Sequence, residues 1–214
     1  MNTMTKPRIL AILIMLVAVS GIGAQRPAPV YADHRSAGDA ISAGLIGQVS
    51  NPTPALSFQY GYLNYVKGLD PATLAAGSEI NERTAFLTFY SHTMTQRVTN
   101  NGPMRVIDRV GQLGIYFDTA PNGDFGRLPT FQDGEQVLGA EQHHQVVIDT
   151  LTGAFTANFD LTIVWSKRFS LKGADYQLGG PGEHFAMTVF GHLNQQPPPA
   201  AHIAGVVRGL EVRK

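Results

Sequence analysis

The chain has 214 residues, 43% of them hydrophobic and 15% charged, and no cysteine. Without cysteine there is no disulfide, no thiolate nucleophile, no Cys-ligated metal and no lipid-modified anchor, so burial has to supply the stability. Lys and Arg together number 16 and so do Asp and Glu, and the lack of a basic excess argues against nucleic acid as a partner.

The N-terminus reads as a targeting segment. Lys6 and Arg8 precede an uncharged apolar run of 11 residues, Ile9 to Val19, and small residues follow at Ser20, Gly21, Gly23 and Ala24. That run is too short to span a bilayer, so the pattern predicts a cleaved secretory signal, with cleavage after Ala24 or after Ala32. Residues 1–32 are then a signal peptide with a short lead, 33–196 a β-barrel domain, and 197–214 a Pro-rich linker with a C-terminal tail or last strand. Loss of Lys6, Arg8 and Arg26, with no acid, leaves 13 basic and 16 acidic groups and a net charge near −3. The expected location is secreted or periplasmic, without stable membrane insertion once the signal is gone.

Downstream, Ala40 to Val49 fits a short helix or a lead-in strand, and Pro52 and Pro54 end any helix. Phe58 to Val66 alternates, with Phe58, Tyr60 and Tyr62 on one face and Gln59, Gly61 and Leu63 on the other. Asp70-Pro71 predicts one helical turn, aspartate capping and proline at its first position. A long strand follows within Asn81 to Val98, with Phe86, Thr88, Tyr90, His92 and Met94 sharing a face. Asn100-Asn101-Gly102-Pro103 turns the chain, and Met104 to Phe117 returns with Ile107, Leu113, Ile115 and Phe117 in one parity. Gly111 and Gly114 in that strand predict bulges or bends.

Pro121-Asn122-Gly123-Asp124 predicts a further hairpin turn. Gln136 to Asp149 reads as a strand, and Phe155 to Trp165 as the most regular alternation in the chain. In it Phe155, Ala157, Phe159, Leu161, Ile163 and Trp165 share one face. That parity predicts the Trp165 ring in the core or at a lumen wall. A short strand around Phe169 and Leu171, a Gly179–Gly182 turn and a strand from Phe185 to Leu193 complete the series. The tail from Ala200 docks as a last strand or stays loose.

Eight or nine strands joined by tight turns, with no helix long enough for a crossover, predict an all-β antiparallel meander. It closes into a single eight- or nine-stranded β-barrel, or packs as a two-sheet β-sandwich. A transmembrane barrel lacks its aromatic girdles here. In architecture alone such a chain resembles secreted calycins and the barrels of allene oxide cyclases and dirigent proteins. The lipocalin Gly-x-Trp near the first strand is missing, since the only tryptophan is Trp165.

No nucleophile elbow, phosphate loop, dinucleotide fingerprint or HExxH is present. The oxygens of Asp118 to Asp124 read as turn chemistry rather than a calcium loop. His143 and His144 point to opposite faces of a strand and cannot share one ion locally, and neither metal nor cofactor is expected. His92 and His144 have parities that place them inside a barrel. Tyr60, Tyr62, Tyr90, Tyr116, Phe159 and Trp165 would line its lumen with rings and a few hydroxyls, the makeup of a small-molecule site.

The expected function is non-catalytic binding of a small apolar or aromatic ligand, or of a partner surface. The alternatives are a cofactor-free isomerase or cyclase of the allene oxide cyclase type, and a structural or surface-associated protein, with oligomer formation left open. An ionisable pair deep in the lumen would favour the enzyme. Rings and hydroxyls alone would favour the binder, and a filled lumen with a long open edge the structural role.

Overall fold

The computed structural model describes residues 40–214. The signal segment and both cleavage positions lie outside the described residues. Among the described residues there are eleven strands: β1 (Ile41–Thr53), β2 (Leu56–Val66), β3 (Leu87–Asn101), β4 (Met104–Phe117), β5 (Glu135–Asp149), β6 (Ala154–Ser166), β7 (Phe169–Leu171), β8 (Ala174–Leu178), β9 (His184–Leu193), β10 (Ala201–Arg208) and β11 (Val212–Arg213). Eight of them close into an antiparallel barrel in the order β1-β10-β9-β6-β5-β4-β3-β2. Closure rules out the two-sheet alternative. The meander is broken once, by the β7–β8 hairpin, which joins β11 in a separate three-stranded sheet. Its two-residue turn, Lys172 at φ 51° and Gly173 at φ 83°, has both central residues left-handed, the twist that tight hairpins favour.

Hydrophobic alternation drives the closure. Leu45, Leu63, Phe89, Leu113, Ala140, Leu161, Met187 and Val207 come one or more from each barrel strand and are all buried in one core. The two ends differ. At one, tight connections join β1 to β2, β3 to β4 and β5 to β6. At the other, long connections fold back, and Leu69, Leu74, Phe86, Phe169, Leu178 and Leu210 seal the barrel floor.

Several local expectations are resolved or corrected. Of the two alternatives for the segment before Pro52 the strand holds, as β1, and it runs through the proline to Thr53. The tail from Ala200 takes the last-strand alternative: β10 pairs with both β9 and β1 and closes the ring. Register is continuous across Gly111 and Gly114, and the shifts fall instead at Thr95/Arg97, Ile115/Tyr116 and Gly139/Ala140. Asn122-Gly123 is no hairpin turn. It lies in the long connection from β4 to β5, which turns at Phe125-Gly126 and then forms a 3-10 turn, Leu128–Phe131. There Asp118 accepts from Ala120 N–H and Asp124 from Gly126 N–H, each through Oδ1, so these carboxylates stabilise the loop itself.

Candidate functional site

The barrel interior is not lined by the tyrosines. Leu63, two residues from Gly61 and four from Gln59 along β2, packs in the core, so the odd-numbered face points inward and Tyr60 and Tyr62 point out. They are nonetheless buried, because the β4–β5 connection lays Phe125 and Phe131 over them, with the Tyr60–Phe131 ring centroids 5.3 Å apart. Tyr90, His92, Tyr116 and Trp165 also face outward. Of the eight residues expected in the lumen, only His144 and Phe159 are there.

Trp165 is turned out by a bulge. Gly139 pairs with Trp165 and the next residue, Ala140, pairs with Ile163, so Val164 is the extra residue of β6. Ile163 stays 2% exposed while Val164 and Trp165 are 53% and 38% exposed. A one-residue insertion exchanges the faces beyond it.

In place of the aromatic lining, the middle of the lumen carries a polar layer. Gln142 Nε2 donates to Ser91 Oγ (2.7 Å), Ser91 Oγ to Gln59 Oε1 (2.8 Å), and Gln59 Nε2 to Ser57 Oγ (2.7 Å). Thr93 Oγ1 donates to the Ser57 carbonyl at 3.1 Å. Next to this chain Arg109 of β4 and His144 of β5 form a cross-strand pair, only 7% and 2% exposed. The His144 ring lies against Phe159, centroids 4.3 Å apart.

This pair is electrostatically incomplete. Arg109 Nε and Nη1 and His144 Nδ1 are buried and make no hydrogen bond to any protein group. Burial lowers the Arg109 pKa from its ordinary value. Burial first, then the Arg109 charge, then His143 push His144 down to about 3, so its imidazole is neutral near pH 7. By contrast Asp108, on the opposite face of β4, is fully engaged by Arg97 (2.7 Å) and by Gln145 Nε2 (2.9 Å).

Beside the pair is a cavity of about 70 Å3 whose wall includes Ser57, Gln59, Arg109, His144, Val146, Ile148, Phe155, Phe159, Val189 and Ile203. No Asp or Glu lines it. It reaches toward the tight-turn end, where exposed Asn51 and half-buried Val49, Ile107 and Leu193 form the rim. The other end of the lumen is packed apolar, with a residual void of about 10 Å3 among Leu45, Leu63, Phe89 and Met187. The site is therefore a short apolar funnel with one unpaired cation and several hydrogen-bonding groups at its base. Arg109 had a signal in the sequence: it shares the parity of Ile107, Leu113 and Ile115, a charge on an otherwise apolar face. Ser57, Gln59, Ser91 and Gln142 had a weaker one, being polar residues on the faces that bury.

In comparison with known proteins, no family model matches the chain, and neither a curated protein nor a solved structure matches it.

Proposed function

We propose that this is an exported, non-catalytic binding protein whose barrel receives the anionic head of a small apolar acid. The observation that carries this reading is Arg109, a guanidinium inside the barrel with two unpaired nitrogens and no carboxylate on the cavity wall. An ionised group held away from water without a partner costs several kcal/mol, and such groups mark sites where the partner arrives from outside. A carboxylate matches the fork of a guanidinium, accepts two charge-assisted hydrogen bonds from it, and is small enough for this cavity. Neutral His144 contributes a polar nitrogen without adding a second cation. The apolar part of the ligand would lie against Ile148, Phe155 and Ile203, toward the rim. At about 70 Å3 the cavity is well under the roughly 300–1,000 Å3 of drug-sized sites, which points to a short chain.

Calorimetric titration with straight-chain monocarboxylates from acetate to octanoate, each beside the matching alcohol, tests the reading. Acids should bind and alcohols should not. Arg109→Met should abolish binding while leaving the fold as stable or more stable, because replacing a buried unpaired charge by an apolar side chain removes its desolvation penalty. Equal binding of acid and alcohol, or full affinity in Arg109→Met, would overturn it.

The Arg109–His144 pair also supports a second reading, the cofactor-free isomerase or cyclase. A neutral imidazole can take a proton beside a guanidinium that stabilises the resulting anion. That reading requires turnover of a bound acid, lost in His144→Phe while acid binding persists. A role through open edges has the least support, since the barrel closes on itself.

A further inference from the structure

Four of the six outward residues, Tyr90, His92, Tyr116 and Trp165, meet again on the outer surface. Tyr90, Gly114, Gly139 and Trp165 are consecutive partners across β3, β4, β5 and β6. The two central positions of this row are glycine, and the large rings occupy the space that side chains there would fill. A Cβ at Gly139 would meet the Trp165 indole Nε1 at 2.5 Å, and one at Gly114 would meet the Tyr116 hydroxyl at 2.8 Å. Phe58 stacks on Tyr90 at 5.7 Å between centroids and holds it from behind. The result is a cleft of about 430 Å3 lined by Tyr90, Tyr116 and Trp165, with Gln112, Gln136 and Glu141 among its polar groups.

We infer that this cleft is a second binding site, for the ring of a neutral saccharide. It does not rest on the lumen reading. A sugar ring has a C–H face that packs on the electron-rich face of an aromatic ring, and hydroxyls at its edge that both donate and accept. Tyr116 and Trp165 supply the faces, and the glutamine amides and the Glu141 carboxylate supply the edge. No Lys or Arg lines the cleft, so a phosphorylated or sulfated ligand has no counter-charge there. A purely aromatic ligand would leave the amides unused. The volume lies within the range of small-molecule sites, roughly 300–1,000 Å3. Exposed Trp165 and half-buried Tyr116 thus have a use for their outward position beyond covering two glycines.

Trp165 is the only tryptophan, so its emission reports on this cleft alone. The purified protein is titrated with malto-, cello- and chito-oligosaccharides of about two to six units, up to about 10 mM, where even weak millimolar binding is visible. At least one series should shift the emission saturably. Tyr116→Ala should weaken that binding about tenfold or more, and Gln112→Ala, on the exposed rim, should weaken it without touching a ring. Arg109→Met should leave it unchanged. The inference is overturned if no saccharide shifts the emission, if free indole binds as well as the best saccharide, or if Gln112→Ala and every folded Tyr116 variant keep full affinity.

Discussion

Held neutral by what surrounds it, His144 makes the stability of the whole barrel sensitive to acid. Its folded pKa is about 3, while in the unfolded chain an imidazole returns to roughly 6.5. Between those values the unfolded chain binds a proton that the folded one refuses. Stability is therefore complete above about pH 6.5 and is lost as pH falls toward 3, by up to roughly 1.4 kcal/mol per pH unit. Asp108, lowered chiefly by its Gln145 hydrogen bond, and Asp149, lowered chiefly by Leu151 N–H, act with the same sign. Their effect is centred below their ordinary value of 3.8 and only its edge reaches about pH 4 to 5. The window from pH 6 to 4 thus belongs to the histidine. Urea midpoints measured across it should fall steeply in the wild type and stay nearly flat in His144→Gln. A parallel fall in both would mean the imidazole is already protonated inside the barrel.

Within β6 one inserted residue decides what faces the core. Ile163 fills the sealed half of the lumen, and Ile163→Ala should cost about 2–5 kcal/mol, the range for emptying a buried aliphatic site. Trp165→Ala, beyond the bulge, should cost about 1 kcal/mol or less, since most of what it removes is half-exposed surface. Denaturant midpoints of the two variants check the assignment, and a Trp165 loss as large as that of Ile163 would place the bulge elsewhere. The same strand shows how far the sequence is legible. Phe155 to Ile163 follow simple alternation and are buried as their parity demands. Trp165 is not, because a bulge leaves no period-two signature and depends on the partner strand, where Gly139 makes room for the indole. The tyrosines of β2 misled for a different reason. Tyr60 and Tyr62 are buried, as their type suggests, but by a loop from 60 residues onward rather than by the barrel. Burial was legible from composition, whereas the side of the sheet that provides it was not. Arg109 was legible in principle, since a charge at core parity is itself the signal.

For the molecule as a whole, closure depends on its last long strand. β10 supplies Ile203 and Val207 to the core and covers the hydrogen-bonding edges of both β1 and β9. A chain ending at residue 196 should expose those two edges at once and self-associate, because unpaired strands are templates for further pairing. Size-exclusion chromatography should show it moving from a discrete species to large aggregates, and a well-behaved truncated product would mean the remaining strands can close without β10. Closure also explains the placement of the two cavities. The sealed end leaves the lumen cavity toward the tight turns, while the continuous pairing of β3 to β6 brings residues from four strands into one row.

The hydrogen-bonded chain through the lumen has a direction. Ser91 carries a single proton, which it gives to Gln59 Oε1 while it accepts from Gln142 Nε2, so every link from Gln142 to Ser57 runs the same way. In the observed sense Ser57 accepts from Gln59, and its own proton is left for the cavity that its side chain lines. Turning both glutamine amides over would reverse every link and offer that cavity a lone pair instead. The chain is thus a line of dipoles with two polarities, one matched to an acceptor at its end and the other to a donor. On the proposed reading, a carboxylate in the funnel would favour the polarity in which Ser57 keeps its proton for the cavity.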